Sequence, residues 1–352
     1  MLADLLFGIL SILASVIPTI LYVLLLWRLD RYEKEPIKLL AIAFFWGAVP
    51  ATIAAAVIES FFSLLGGGPL VDTVIGAPII EESLKALALL GVFVLAFSEF
   101  DDVLDGIIYG AIIGFGFAMT ENIFYLFSAQ QDRSILGWLS MALGRTVLFG
   151  LNHSMFTSFT GVGFGLARSQ RQFLLRLVLI LGGLGVAIFA HALHNLFVSG
   201  GITCFLSILT NWLGVLVVLG IILLSWRRER RWLALYLPEE VEGGVLNPAI
   251  LVLLLSKRQR LRHIWKTLGV AGWEQTRLWR QLASAATELA FKKHQQQVQK
   301  RQDQAKAIVA LRKRILQLRR RLGEEVPANT CPQCGRPLPE GATDCPYCTS
   351  PE

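Results

Sequence analysis

Seven long runs of apolar residues occupy the first 225 residues of this chain and limit the folds that it can adopt. A transmembrane helix needs about 20 mostly apolar residues, and a segment in lipid must satisfy its own backbone hydrogen bonds. Apolar residues make up 54% of the 352 residues and the mean hydropathy is +0.56, which excludes an ordinary soluble domain. We therefore predict an all-α, polytopic transmembrane helical bundle with about seven spans: Leu2–Trp27, Ile37–Leu65, Thr73–Ser98, Val103–Phe127, Ile135–Leu166, Phe173–Val198 and Ile202–Ser225.

Basic residues collect in three of the connections that flank these runs. They follow the first, the fifth and the seventh run: Arg28, Arg31, Lys34 and Lys38; Arg168, Arg171 and Arg176; Arg227, Arg228, Arg230 and Arg231. Because cytoplasmic connections carry an excess of Lys and Arg, we expect a multi-pass protein of the cell membrane. Its N-terminus is expected outside and its C-terminal tail in the cytoplasm. Arg145 lies inside the fifth run, where we expect it to anchor the start of the crossing at the interface.

Ionisable and amide side chains recur inside the apolar runs, where their burial in lipid is costly. They fall in four of the runs: Glu81, Glu82 and Lys85; Glu121 and Asn122; His153; His191, His194 and Asn195. An ionisable residue inside a membrane is a functional-site hypothesis by default. At about 1.5 Å per helical residue, the acid or imidazole in each of these four runs lies roughly 9 to 12 Å below the outer surface. Side chains from four helices at one depth predict a shared site.

Carboxylates and imidazoles at one depth suit the hydrolysis of a peptide bond, which needs an activated water and a stabilised oxyanion. In one arrangement these groups hold a divalent metal while a free Glu acts as general base. In another, no metal takes part, Glu81 is the base, and His and Asn side chains donate to the oxyanion. Lys85 shares a helix face with Glu81, so it either positions that carboxylate through an ion pair or extends elsewhere. The residues alone leave these alternatives open.

The order of these motifs resembles the PrsW family of bacterial intramembrane proteases, which is distantly related to the CAAX prenyl endopeptidases. The resemblance covers about Leu21 to Leu224, and any one of its motifs alone would be weak evidence. Five occur in the family's order and spacing: the opening segment Asp30–Pro36, Glu81-Glu82-x-x-Lys85, Phe117-x-x-x-Glu121-Asn122, His153, and His191-x-x-x-Asn195.

The resemblance implies a site-2-like protease of the bacterial cytoplasmic membrane that cleaves membrane-embedded or juxtamembrane proteins. Anti-sigma factors are the best-known substrates of that family. By position, the resemblance implies catalytic roles for five residues, the last of which would assist His191: Glu81, Glu82, Lys85, Glu121 and Asn195. It also implies a divalent metal, with zinc as the expected ion, held by Glu121, His153 and His191. His194 falls where the family pattern does not require histidine.

A second region, residues 226–327, is basic and predicted to be helical. Its charge next to an apolar run favours anionic lipid over nucleic acid as a partner. Pro248–Leu255 is apolar but too short to span, and we expect one face of an amphipathic helix at the membrane surface. A 3-4-3-4 spacing further on predicts a coiled-coil-like helix that forms a dimer, binds lipid or packs on its own tail: Ile308, Leu311, Ile315, Leu318 and Leu322.

The last region, residues 328–352, contains two C-x-x-C pairs: Cys331 and Cys334, then Cys345 and Cys348. This spacing predicts a small zinc ribbon in which four thiolates close a tetrahedral structural site. Disulfides are the competing interpretation, which the expected cytoplasmic location disfavours. A ribbon of this kind is compatible with a protein partner.

Two other functions fit the same intramembrane polar residues. An ion- or proton-coupled transporter would use them as a relay, but the inverted repeats typical of many such proteins are not visible, since the two halves share neither motifs nor loop lengths. A non-catalytic scaffold would keep the fold and recruit partners through the zinc ribbon. We favour an intramembrane endopeptidase over both.

Overall fold

A computed structural model describes residues 2–30, 32, 34–97, 99–129, 134–299, 304–327, 329–338 and 345–349. Over these residues the backbone is almost entirely helical, and one isolated antiparallel bridge pairs Thr330 with Pro337. The prediction of an all-α, multi-pass membrane protein is confirmed. The chain divides into two compact units, Met1–Arg31 with Glu35–Ser225 and Tyr32–Lys34 with Trp226–Glu352. A separate ribbon region at 328–352 stays a prediction.

The first unit is a bundle of helices. Its α-helices are α1 (Leu2–Leu29), α2 (Ile37–Trp46), α3 (Thr52–Ser63), α4 (Pro69–Val71), α5 (Ala77–Leu95), α6 (Val103–Ala129), α7 (Ile135–Leu143), α8 (Asn152–Arg168), α9 (Phe173–Ser199) and the first part of α10 (Cys204–Tyr236). Among the described residues, three π-helical segments accompany them, at Gly47–Ala51, Asp72–Gly76 and Gly144–Leu148. Such segments occur frequently at functional sites, and the third contains a residue of the site described below.

Six stretches of the described residues are long and apolar enough to cross a membrane: Leu5–Leu29, Ile37–Ser63, Val103–Ala129, Ile135–Arg168, Phe173–Ser199 and Cys204–Glu242. They correspond to six of the seven predicted spans. The third predicted span is α5, which has 19 residues and carries three buried ionisable side chains, and its composition keeps it out of this set. The fifth predicted span is not one straight helix, because residues 149–151 separate α8 from the preceding helical turns.

Helix α6 is buried along most of its length within the first unit. It packs against α8 through glycines. A Cβ added at Gly110 would lie 2.5 Å from the carbonyl oxygen of Thr157, and one added at Gly114 would lie 2.3 Å from that of His153. Small residues let helix backbones in membranes approach this closely. The contact brings the first turns of α8, and His153 with them, against the part of α6 that leads to Glu121.

The second unit has its own apolar core. Its helices are the end of α10, α11 (Pro238–Glu242), α12 (Pro248–Leu255), α13 (Lys257–Gln299), α14 (Gln304–Arg321) and α15 (Pro346–Thr349). Ile250 and Leu254 of α12 are buried in this core, whereas Val252 is 53% exposed, so one face of the helix packs on the tail and its expected place at the membrane surface stays a prediction. Helix α14 packs against α13 through Ile308, Leu311 and Ile315. This arrangement matches the third interpretation of its apolar spacing, packing on the chain's own tail.

A buried ion cluster joins three segments of the second unit. Glu240 of α11 is inaccessible to solvent and accepts hydrogen bonds from Nζ of Lys293 at 2.8 Å and from Nε of Arg312 at 2.8 Å. A second nitrogen of the Arg312 guanidinium donates to the carbonyl oxygen of Cys334 at 2.8 Å. Arg312 therefore connects α11 and α14 to the first cysteine pair.

Candidate active site

Three ionisable side chains of α5 form the centre of the site. Nζ of Lys85 donates hydrogen bonds to Oε2 of Glu81 at 3.0 Å and to Oε1 of Glu82 at 2.8 Å. Residues three and four apart on a helix are neighbours, which makes this clustering a direct result of the sequence. The Lys85 side chain is fully buried, and its ammonium lies 3.8 Å from the centre of the Phe117 ring. Of the two alternatives for Lys85, the structure shows the ion pair with Glu81.

His153, in the first turn of α8, lies between α5 and α6. Its Nδ1 is 3.0 Å from Nζ of Lys85 and 3.7 Å from Oε2 of Glu81. Its Nε2 is 2.7 Å from Oε2 of Glu121 on α6. Both ring nitrogens of His153 therefore have partners: Nδ1 contacts the ionisable residues of α5, and Nε2 contacts the carboxylate of Glu121 on α6.

The two neighbouring glutamates have different surroundings. Glu82 is inaccessible to solvent, with Oε1 3.1 Å from Nδ1 of His191 and Oε2 accepting a hydrogen bond from Thr157 at 3.1 Å. Glu81 retains 7% side-chain exposure. Nothing in the sequence singles out Thr157, because Thr is common in membrane helices at positions without a polar role. Glu82 is thus held on all sides, whereas Glu81 is the member of the pair that remains accessible.

Arg145 belongs to the site, which corrects the expectation that it anchors its helix at the interface. It lies on the π-helical segment Gly144–Leu148, and its guanidinium is 2.7 Å from Oε2 of Glu121. Its Nε donates to Oδ1 of Asn122 at 2.8 Å, and its charge lies 3.6 Å from the centre of the Tyr125 ring. Three residues of α6 therefore hold Arg145 in place, and Arg145 in turn holds the carboxylate that meets His153.

His194 and Asn195 of α9 lie at the edge of this cluster. Nδ1 of His194 is 2.5 Å from the hydroxyl of Ser207 and 2.8 Å from the amide nitrogen of Asn211, both on α10, and its Nε2 is 3.3 Å from the amide nitrogen of Asn152. The amide of Asn195 donates to the carbonyl oxygen of Thr73 at 2.9 Å. The proposed assistance of His191 by Asn195 is therefore not seen as a direct hydrogen bond between the side chains.

Four side chains present a set of possible metal ligands. One donor atom each from Glu81, Glu82, His153 and His191 lies within 4.8 Å of all the others. Two carboxylates and two imidazoles are the donor types that zinc and related divalent ions take, so the residues fit such an ion in type and spacing. Lys85 contributes one positive charge beside the same donors. Glu121, predicted as a ligand, lies outside this group and contacts Arg145 and His153 instead.

A cavity of about 760 Å³ lies beside the cluster. Its charged and amide-bearing lining residues are Glu59, Asp72, Glu81, Glu121, Asn122, Arg145, Asn152, His153, His191, His194 and Asn195, and hydroxyl-bearing and apolar side chains complete the wall. Glu82 and Lys85 are not among the lining residues. Glu59 was absent from the sequence-based candidates, although it carries the same signal as the others, a carboxylate inside an apolar run. The cavity is of the size that typical small-ligand sites have.

The four cysteines of the second unit also converge. Sγ of Cys331 lies 3.8 Å from that of Cys348, and Sγ of Cys334 lies 3.6 Å from that of Cys345. All four sulfurs are within 4.8 Å of one another. Tetrahedral zinc with Zn–S bonds of about 2.3 Å requires sulfur–sulfur distances of about 3.8 Å. Gly335 follows the first pair with φ of +77°, a left-handed conformation that suits glycine.

Comparison with known proteins relates the first unit to proteases. The model of the family described as "PrsW family intramembrane metalloprotease" matches residues 35–226. Protease PrsW of Bacillus subtilis (strain 168) is 34% identical over 116 residues, which are 32% of this chain and 52% of that protein. Protease PrsW of Geobacillus kaustophilus (strain HTA426) is 28% identical over 157 residues, 44% of this chain and 65% of that protein. Protease PrsW of Clostridioides difficile (strain 630) is 29% identical over 178 residues, 48% of this chain and 73% of that protein.

The similarity to the first of these relatives spans about half of its length, and that to the second just under two thirds. No solved structure matches this chain. The family match covers more than half of the chain. It includes the ionisable residues of the site: Glu81, Glu82, Lys85, Glu121, Arg145, His153 and His191. The chain therefore belongs to the PrsW family of intramembrane metalloproteases.

Proposed function

We propose that this protein is an intramembrane endopeptidase in which Glu81 activates a water molecule for attack on a peptide bond. The observation that carries the proposal is the unequal environment of the two neighbouring glutamates. Glu81 lines the cavity, whereas Glu82 is enclosed by Lys85, His191 and Thr157. A general base must reach the water that it deprotonates. Membership of a protease family supports the same reaction class.

The surrounding residues have distinct tasks in this proposal. Lys85 orients the Glu81 carboxylate through its hydrogen bond, and Glu81 takes the proton of the attacking water and returns it to the leaving amine. The oxyanion that forms at the scissile carbonyl needs donors already in position. The guanidinium of Arg145 and the amide of Asn152 line the same cavity and supply such groups. Glu121 contacts both His153 and Arg145 and so keeps these two side chains near Glu81.

A divalent metal, with zinc as the expected ion, is part of the proposal. Glu82, His153 and His191, three of the four residues whose donor atoms lie together, would hold it, which leaves Glu81 free as the base and a coordination position open. An ion there would supply Lewis acidity toward the scissile carbonyl. The metal-free alternative uses the same Glu81 and the donors that line the cavity, so the assignment of the base is common to both.

The proposed substrate is a membrane-embedded or juxtamembrane segment of another membrane protein, and the family resemblance points to anti-sigma-factor-like proteins. A cavity of about 760 Å³ with apolar and polar walls accommodates a short stretch of peptide. We propose a location in the bacterial cytoplasmic membrane, with the N-terminus outside and the tail in the cytoplasm, from the distribution of basic residues.

For the cysteine cluster we propose a structural zinc held by Cys331, Cys334, Cys345 and Cys348. The sulfur spacing supports four-coordinate binding, which leaves no open position for a substrate. The ribbon closed in this way is a candidate surface for a protein partner.

The protease proposal is tested by comparing membrane proteomes after deletion of the gene. Membrane proteins that accumulate uncleaved in the deletion strain are candidate substrates. Complementation with the wild-type gene should restore cleavage, and Glu81→Gln should not. Glu99→Gln, a change of the same type at an exposed position outside the cavity, serves as the control and should restore it. Cleavage restored by Glu81→Gln at the wild-type rate would remove Glu81 from the mechanism.

A further inference from the structure

The first half of α13, residues 257–271, has a surface unlike the rest of the second unit. Leu261, Trp265 and Val270 are apolar yet exposed, at 44%, 70% and 82% of their surface. Trp273, directly after the segment, is 63% exposed. The second half of α13 contributes buried residues such as Leu282 and Leu289 to the core. One helix therefore has a core-forming half and a half that contacts the core through Ile264 but leaves Leu261, Trp265 and Val270 exposed.

Gly272 separates the two halves. Its φ of 79° and ψ of −174° break the helical conformation inside α13. A φ of this sign suits glycine, so the break is specified by the sequence. The segment 257–271 is thus a separate helical element, which contacts the core helix that follows through His263 and Trp279.

The exposed surface of this segment has an apolar stripe next to a row of basic residues. Leu261 and Trp265 are one helical turn apart and form an apolar stripe. Arg258, Arg262 and Lys266 follow one another at the same four-residue spacing, and all three are exposed. The segment contains five Lys or Arg residues and no Asp or Glu. Its apolar stripe is therefore flanked by the exposed basic side chains of Arg258, Arg262 and Lys266.

We propose that residues 257–271 form an interfacial helix that binds the anionic phospholipid surface of the membrane. Tryptophan is enriched at the level of lipid headgroups, and helices with a basic flank beside a Trp/Leu stripe lie in that interface. The charge of the segment complements anionic headgroups, which attract Lys and Arg placed near the surface. Since the same chain carries the membrane spans, the segment is tethered to the membrane, and a moderate affinity suffices for binding. The proposal does not depend on the protease activity.

Hydrogen exchange of the full chain in lipid nanodiscs tests this assignment. The protein is placed in nanodiscs of phosphatidylcholine alone or of phosphatidylcholine mixed with phosphatidylglycerol, and peptides from 257–271 are followed by mass spectrometry. Exchange should be at least about tenfold slower with the anionic lipid, since each basic residue near the surface adds to the attraction. The triple variant Arg258→Gln, Arg262→Gln, Lys266→Gln should remove this difference. Peptides around Leu282 and Leu289 should exchange alike in all samples, which shows that the core remains folded.

A matched control removes the same charge from another exposed surface of the second unit. Lys306→Gln, Arg314→Gln, Arg321→Gln changes three exposed basic residues of α14 and should leave the lipid-dependent protection of 257–271 intact. Trp265→Ser should reduce protection in both lipids, because it removes the largest apolar contact. Equal exchange of 257–271 in the two nanodiscs would overturn the proposal. Protection that arises only after addition of a soluble protein fraction, whatever the lipid, would overturn it in favour of a protein partner.

Discussion

The ammonium nitrogen of Lys85 lies 3.0 Å from Nδ1 of His153. An ammonium group has only donors, so Nδ1 must accept, and the ring proton of a neutral His153 is then on Nε2. That nitrogen faces Glu121 at 2.7 Å. One buried lysine therefore fixes the tautomer of the histidine and, through it, the contact between α8 and α6. The same lysine neutralises charge on both glutamates of α5.

Replacement of Lys85 should consequently damage both stability and function. In Lys85→Met two buried carboxylates lose their cation, and breaking a buried ion pair costs about 3–5 kcal/mol. We expect a lower unfolding temperature in detergent and loss of substrate cleavage. Lys85→Arg should not rescue activity, because a planar guanidinium does not fit the site of a compact ammonium. Lys38→Met, at an exposed position, is the control, and equal unfolding temperatures for the two methionine variants would contradict this account.

The two glutamates should respond differently to the same substitution. Glu81→Gln removes the proposed base, and cleavage should fall by about 10²–10⁴-fold, the range for general base catalysis. Glu82→Gln weakens contacts with Lys85 and His191 in a fully buried position, so it should lower the unfolding temperature further than Glu81→Gln does. Thermal unfolding and cleavage are measured on the same preparations. The reverse order of stabilities would show that Glu82, not Glu81, is the accessible acid.

The sequence was sufficient to predict the helical class and to select many of the polar side chains that the structure brings together, but not Glu59 or Thr157. Helical spacing alone relates Glu81 to Lys85, and the membrane makes isolated acids and imidazoles conspicuous. Their pairing was not predictable, because it depends on how α6 and α8 approach. The position of Arg145 is an example. Its place on a π-helical segment, which no simple periodicity indicates, directs it to Glu121 rather than to the membrane surface.

Hydrophobicity alone did not indicate which apolar side chains of the tail are buried in its core. Pro248–Leu255 is strongly apolar, and an apolar segment next to a membrane protein's last span suggests an interfacial helix. In the structure Ile250 and Leu254 are in the core of the second unit, while the less hydrophobic segment 257–271 exposes Trp265. Whether an apolar helix of the tail is buried or exposed depends on which other helices pack against it. Helix α12 packs against α13, whose core residues, such as Leu282 and Leu289, are distant from it in sequence.

Metal analysis of purified variants separates the two proposed metal sites. His191→Ala removes an imidazole from the intramembrane donor set and should lower bound metal by about one ion per chain. The double variant Cys331→Ser, Cys334→Ser should remove a different ion, about one zinc per chain. His263→Ala, a histidine outside both donor sets, is the control. Bound metal is measured by plasma mass spectrometry, and loss in the cysteine variant alone would favour the metal-free arrangement of Glu81.

The glycine contact between α6 and α8 should be intolerant of a single methyl group. In Gly114→Ala the new Cβ would lie 2.3 Å from the carbonyl oxygen of His153, so the helices must separate. Overpacking of this kind costs about 1–3 kcal/mol, and the displacement of His153 should also reduce cleavage. Gly91→Ala is the matched control, since no atom lies within 4 Å of its added Cβ. A Gly114→Ala variant as stable and active as Gly91→Ala would refute the role of this contact.

The buried ion cluster of the second unit predicts an effect confined to the tail. Glu240→Ala leaves the charges of Lys293 and Arg312 without their shared buried partner, at a cost of about 3–5 kcal/mol. Because Arg312 also bonds the carbonyl oxygen of Cys334, the cysteine pair should loosen as well. Hydrogen exchange around Leu282 and Leu289 should accelerate, and zinc should be lost to chelators sooner than in wild type. Glu242→Ala, two residues away and exposed, should stay within about 0.5 kcal/mol of wild type. Unchanged exchange in Glu240→Ala would mean that the cluster adds no net stability to the unit.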